Sequence, residues 1–228
     1  MSRRKIFWCL LLPVVLSQSV FGNGTTDARS GFFLTLSGQN FSVEGDFDGE
    51  RVLYHTDRSF FIPRVEKTSS FGIGFGYRTE SGLWDAGISR SAQTNFFQDQ
   101  EFRTSLYSVD LNGRAFLFKK APIKPYLLLG ISVPWMNVRD GAEFEGRTAD
   151  AKYIGLALSA GAGIFIPLGP KLFISGGAVY RYLGFLYAWV RGKGKDIMDL
   201  QVSYDGPKWD NWLRARGVSL TFNIGFSF

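Results

Sequence analysis

Five charged residues are best placed to do chemistry: Arg78, Asp85, Asp110, Arg114 and Arg181. Each lies within a stretch where apolar and polar residues alternate, on the polar side of that alternation. Asn112, Ser132, Tyr153, Ser159, Thr221 and Asn223 share the same side. Carboxylates among guanidinium groups form strong, often bidentate hydrogen bonds. In a narrow, poorly solvated space a charge left alone would be costly. The expectation is therefore an ion network, with the pairing decided by strand register. Such a network has three uses: a plug that stiffens an interior, a gate that rearranges, or a catalytic set.

The remaining chemistry is sparse. His55 is the only histidine, so a multi-histidine metal site is excluded, and no carboxylate spacing marks a cation loop. No nucleophile motif accompanies it, so no catalytic residue, metal or cofactor is assigned. Cys9 is the only cysteine and lies in an apolar leader, which leaves no thiol or disulfide chemistry to the rest of the chain. A different kind of site is suggested by Arg191, Lys193 and Lys195, spaced by glycines, with Trp209 and Trp212 further on. Those cations suit lipid phosphates, and the aromatics suit an extracellular protein or a small apolar ligand. Packing of that segment onto its own neighbours is the plainer alternative.

Those residues need elements to hold them, and the elements are strands. The end of the chain, Leu220 to Phe228, places Leu220, Phe222, Ile224, Phe226 and Phe228 on one face and Thr221, Asn223, Gly225 and Ser227 on the other. The same period of two recurs in eight segments, about 31–39, 69–79, 83–91, 103–118, 124–133, 152–166, 172–186 and 213–228. Short connections (80–82, 119–123, 167–171) alternate with long ones (40–68, 92–102, 134–151, 187–212). Prolines sit at segment ends or in connections, never in the middle of a ladder. Several segments exceed the roughly 9–11 residues a tilted strand needs to cross a bilayer, so they should project beyond it. Phe41–Val43 and Arg51–Tyr54 are read as such extensions, flanking an acidic turn at 45–49.

This pattern predicts a transmembrane, eight-stranded, antiparallel up-and-down β-barrel, apolar outside and polar inside. A soluble barrel or sandwich, greasy inside, is the rival reading. Inward glycines (Gly72, Gly74, Gly76, Gly155, Gly161, Gly163) should leave room for long arginines. Two aromatic girdles are expected. Phe116, Phe118, Tyr126, Phe165, Phe173 and Phe228 would form one, and Trp135, Tyr187, Trp189, Trp209 and Trp212 the other. Arg3, Arg4 and Lys5 before the apolar run Ile6–Leu16 read as a cleaved export signal over residues 1–22, with the barrel domain over 23–228. Removing that signal lowers the formal charge from +6 by its three basic residues, a mild excess that is no nucleic-acid footprint.

With these features together, the chain resembles the small outer-membrane β-barrel superfamily, which includes the transmembrane domain of outer-membrane protein A and the outer-membrane protein X and W types. The resemblance implies residence in the bacterial outer membrane after export through the Sec route, contact with lipopolysaccharide, and insertion by the barrel assembly machinery, with Phe228 as the terminal recognition signal. It also implies a non-enzymatic surface role in interaction or envelope integrity, carried by extracellular loops. A narrow porin-like channel or conduit for small apolar solutes is the alternative. A lipid-modifying enzyme stands third; the adjacent histidine and serine of the lipid A deacylase family do not occur here.

Overall fold

The computed structural model describes residues 30–50, 52–55, 58–119, 121–144, 146–192, 195–197 and 213–228. The proposed signal, residues 1–22, lies outside them, as do Lys193, Trp209 and Trp212. Eight long strands form the body: β1 Gly31–Ser42, β2 Lys67–Arg78, β3 Gly82–Phe97, β4 Gln100–Phe116, β5 Lys124–Phe144, β6 Arg147–Pro167, β7 Leu172–Gly192 and β8 Leu213–Ser227. Each pairs antiparallel with the next, and β8 pairs back onto β1. The sheet is a closed up-and-down barrel. Closure satisfies every strand edge, which a membrane interior requires.

Register fixes the tilt. One circuit of paired positions runs Thr35, Gly74, Gly87, Asp110, Ser132, Ala157, Leu183, Ala215 and Gly45. The circuit returns ten residues further along the chain than it began. The strands therefore cross the barrel obliquely, and neighbours in register sit at different heights.

The outer face carries an apolar belt. Leu36, Phe71, Ile73, Leu129, Leu158, Leu220 and Phe222 are each more than half exposed. Their inward neighbours in sequence are mostly glycines and hydroxyl residues, with Leu128, Ala157 and Asn223 as the exceptions. This is the geometry of a membrane barrel and the inverse of a soluble one. Among the described residues no helix is long and apolar enough to cross a membrane.

Toward the long-connection end, the alternation keeps its period but exchanges its faces. On β6, Ile154, Leu156, Leu158, Ala160, Ala162, Ile164 and Ile166 face outward. Nearer that end, Ala149, Ala151 and Tyr153 are buried inside, while Thr148, Asp150 and Lys152 face out. On β4, Val109 and Leu111 face out, but Phe102 is buried inside while Glu101 and Arg103 are exposed. On β8, Leu213 and Ala215 are inside and Arg216 outside. A bulge between Phe185 and Tyr187 resets β7, so that Ala188 and Val190 turn inward.

These extensions correct the reading of two connections. Residues 92–102 are no loop: β3 and β4 stay paired to Phe97 and Gln100 around a two-residue turn. Residues 134–151 likewise belong to β5 and β6, paired to Phe144 and Arg147. The first long connection differs in another way. Val52–His55 does not prolong the barrel wall but pairs with Arg58–Phe61, and Arg58–Phe60 pairs onto Ala142–Phe144 of β5. His55 lies in that hairpin, opposite Arg58.

The same connection turns its apolar residues into the barrel mouth. Phe47, Phe60, Ile62 and Val65 are buried in one cluster with Phe97, Phe102, Val138, Tyr153 and Phe185. Backbone bonds tie the segment down: Arg64 N donates to the Phe96 carbonyl at 2.6 Å, Gln98 N to that of Gly49 at 2.9 Å, and Val43 N to that of Glu66 at 2.8 Å. The buried backbone groups of a non-wall segment thus find partners.

Candidate functional site: the sealed lumen and the outer rim

Arg78, Asp85, Asp110, Arg114 and Arg181 all point into the barrel, because each shares the parity of its strand's inward positions. Asp85 and Arg114 meet across β3 and β4: Nη1 of the arginine donates to Oδ2 of the aspartate at 2.5 Å, with both side chains buried. Asn112 Nδ2 donates to the other carboxylate oxygen at 3.0 Å. Asp110 is held by hydroxyls, Ser108 Oγ at 2.8 Å and Ser89 Oγ at 3.2 Å. Opposite, Asn223 Nδ2 donates to Ser175 Oγ at 3.2 Å. Arg181 shares a cavity of about 30 Å³ with Asp85, Asp110, Arg114, Thr221 and Asn223. That space holds about two waters.

Arg78 lies further toward the short turns. Its guanidinium carbon stands 6.0 Å from the ring centres of both Phe165 and Phe173. These rings belong to a second buried apolar cluster of Phe33, Leu83, Phe116, Tyr126, Leu128, Phe165, Phe173 and Val179. Phe165 and Phe173 are 4.9 Å apart, Phe116 and Phe165 5.0 Å, and Phe33 and Phe173 5.3 Å. The polar layer is therefore closed on both sides: by this aromatic floor below and by the capped apolar mouth above.

The floor corrects two expectations. Phe116, Tyr126, Phe165 and Phe173 are inside the lumen rather than in a girdle around it. Phe118 and Phe228 do face outward, and the girdle at that end is completed by Phe32, Phe75, Tyr77 and Trp84, which form ring contacts around the wall. Gly76, Gly163 and Gly225 make space for aromatics, not arginines. A side chain at Gly76 would strike the Phe33 ring, one at Gly163 the Tyr126 ring, and one at Gly225 the Phe173 ring. None of the six named inward glycines has an arginine among its nearest neighbours.

Sequence reasoning left out Ser89, Ser108 and Ser175, whose hydroxyls complete the polar layer, and the whole aromatic floor. A signal for the floor was present. Phe116 has the parity of Arg114, and Phe165 that of Ser159, so both belong to the inward set by position alone.

Of the proposed outer contacts, Arg191 lies in β7 opposite Asp196, and Lys195 lies in a short strand, Lys195–Ile197, opposite Gly192. Elsewhere on the outer rim, Tyr107 and Trp135 stack in parallel, with ring centres 5.6 Å apart and planes at 8°. Arg90 lies over the other side of Tyr107, 5.4 Å from its centre. Among the described residues no group of three or more metal-ligating side chains gathers.

The chain matches no family model. Among solved structures it is similar to Neisserial surface protein A, with 17% identity, covering 87% of this chain and 99% of that one at a TM-score of 0.49. It is similar to Ail, the attachment invasion locus protein of Yersinia pestis, with 13% identity, 87% and 99% coverage and a TM-score of 0.45. It is also similar to the outer membrane protein OprG from Pseudomonas aeruginosa, with 11% identity, 88% and 97% coverage and a TM-score of 0.47. By its own strand pairing and its outward apolar belt, the molecule is a small eight-stranded β-barrel of the membrane-spanning kind.

Proposed function

We propose that this is a non-enzymatic surface protein that acts through its extracellular end, in contacts with other molecules or in envelope integrity. One observation carries this reading: among the described residues the lumen is filled, with an ion-paired layer that holds a cavity of about 30 Å³ between two apolar layers. Packing among the described interior residues favours contacts made from the projecting part of β3–β7 and the connections above it. Phe228, outward-facing and exposed at the close of β8, suits an assembly signal, and residues 1–22 suit an export signal. Arg191, Lys193, Lys195, Trp209 and Trp212 carry the charge and ring chemistry suited to contact with an extracellular partner.

The test replaces the β5–β6 tip and the 198–212 segment with short Gly-Ser turns in a deletion strain. Surface binding and envelope resistance should fall to the level of the deletion while the barrel still folds. Full retention of the surface phenotype by the shortened barrel would refute the reading. Altered lipid A in the deletion strain would point instead to an enzyme.

The conduit reading has one favourable observation, the apolar lining of the upper interior. It requires Phe47, Phe60, Ile62 and Val65 to withdraw. Replacing Phe47 and Ile62 with Ala should then raise uptake of a small apolar probe; unchanged uptake counts against it.

A further inference from the structure

The outward face of β3, β4 and β5 changes character row by row, and the change marks a site. Ile88, Val109 and Val133 are in register and belong to the lipid-facing belt. The next outward row is Arg90, Tyr107 and Trp135, the stacked guanidinium, phenol and indole described above. Above it come Ala92, Ser105 and Asn137, a row of short side chains. Then come Thr94 and Arg103, in register and both exposed.

The result is a shallow shelf with an arginine below and an arginine above. Arg90 and Arg103 lie on rows four residues apart, about 13 Å along the strand. Two outward arginine side chains reaching toward each other span that distance over the Ala92–Ser105 floor. Tyr107 holds the Arg90 guanidinium by its face, which leaves the donor edge available for an anion. Trp135 continues the aromatic surface sideways, as a ring against which a sugar can lie. Acidic groups are present but further out: Glu101 stands two residues beyond Arg103, and Asp140 is already 3.8 Å from Arg139.

We propose that this shelf binds a phosphorylated glycolipid of the outer leaflet, with Arg90 and Arg103 gripping its phosphate and Trp135 against its sugar, while Tyr107 positions the Arg90 guanidinium and the indole. Height selects this occupant. The shelf begins where the apolar belt ends, so acyl chains packed on Ile88, Val109 and Val133 place a headgroup directly on the arginines. A soluble anion would gain nothing from the belt beneath.

The experiment uses the full chain, folded and placed in bilayer discs containing a few mole per cent of bisphosphorylated lipid A, with retained glycolipid per barrel as the readout. Dephosphorylated lipid A should be retained at least about tenfold less, and the Arg90→Gln/Arg103→Gln double variant should lose about tenfold with the phosphorylated form. Arg216→Gln, an exposed outward cation on β8, should stay within about twofold of the parent. Heat-modified gel mobility confirms that each variant is folded. Should the double variant not fold, Ser105→Glu, which puts an anion on the shelf floor, must reproduce the loss. Parental retention by the shelf variant, equal retention of the phosphate-free glycolipid, or an equal loss in Arg216→Gln would each overturn the proposal, the last by reducing the effect to diffuse attraction.

Discussion

The two halves of this barrel obey opposite rules of burial. In the membrane half, Leu129, Leu158 and Leu220 face out while Asp85, Asp110, Arg114 and Asn223 face in. In the extracellular half, Phe97, Phe102, Val138 and Tyr153 face in while Thr94, Glu101 and Arg103 face out. The wall is continuous, and β5, β6 and β7 each run 21 residues through both regimes. What changes is the solvent. Outward apolar surface is favourable against acyl chains and unfavourable against water, so the apolar face switches sides where the bilayer ends. The lower half is a membrane protein and the upper half a small water-soluble barrel, capped by its own first connection.

The contrast can be broken most forcefully at the buried ion pair. Asp85→Ala leaves Arg114 without its carboxylate in the sealed polar layer, at a cost of about 3–5 kcal/mol, read as a lower unfolding midpoint of the whole barrel in urea. If the midpoint stays put, the layer is wetter than its burial suggests. Adding Arg114→Met to Asp85→Leu should recover most of that loss, because two apolar groups replace two charges.

Next in size is a comparison at constant parity and different height. Leu129→Arg puts a cation on the lipid face near the middle of the belt and should cost about 2–4 kcal/mol. Thr94→Arg faces the same way above the belt and should change stability by no more than about 0.5 kcal/mol. Matching penalties at the two sites, measured by equilibrium unfolding into bilayers, would erase the boundary drawn between the halves.

A third change separates local from global unfolding. Ile62→Ala in the capped mouth removes a fully buried side chain, which ordinarily costs about 2–5 kcal/mol. Here the loss should be confined to the cap. Proteolysis between residues 46 and 66 should speed up while the barrel's unfolding midpoint holds. A midpoint that fell as far as in Asp85→Ala would show the two halves unfolding as one unit.

The smallest effect concerns the β3–β4 turn. Gln98 adopts φ of 50°, in the left-handed region that glycine tolerates best. Gln98→Gly should leave the fold unchanged and stabilise the extracellular hairpin by up to about 1 kcal/mol, seen as slower amide exchange at Asn95–Phe97. Faster exchange there would mean the glutamine is held by contacts that glycine loses.

The segments that could be read from the residues are those in which a single rule of alternation held. Gly72, Gly74 and Gly76 against Ile73 and Phe75, or the run from Leu220 to Phe228, are unambiguous because lipid outside and polar atoms inside set one phase. Alternation with an apolar outer face ends at Ser91, Val133 and Lys152, and the paired strands beyond carry polar outer residues of the kind that loops also carry. Phe116, Tyr126, Phe165 and Phe173 depart from the girdle expectation for a related reason. An aromatic near a strand end suits an interface by composition, while its parity points inward.

Period-two alternation and the short connections at 80–82, 119–123 and 167–171 were enough to determine an antiparallel membrane barrel of eight strands and the inward side of Asp85, Asp110, Arg114 and Arg181. Those properties are local, set by which neighbours in sequence share a face. The partner of each charge, the aromatic floor over Gly76 and Gly225, the first connection folded into the mouth and the Arg90–Tyr107–Trp135 row were decided by the tertiary structure. Each depends on inter-strand register and tilt, which place residues far apart in the chain at one height, and that registration exists only once the barrel has closed.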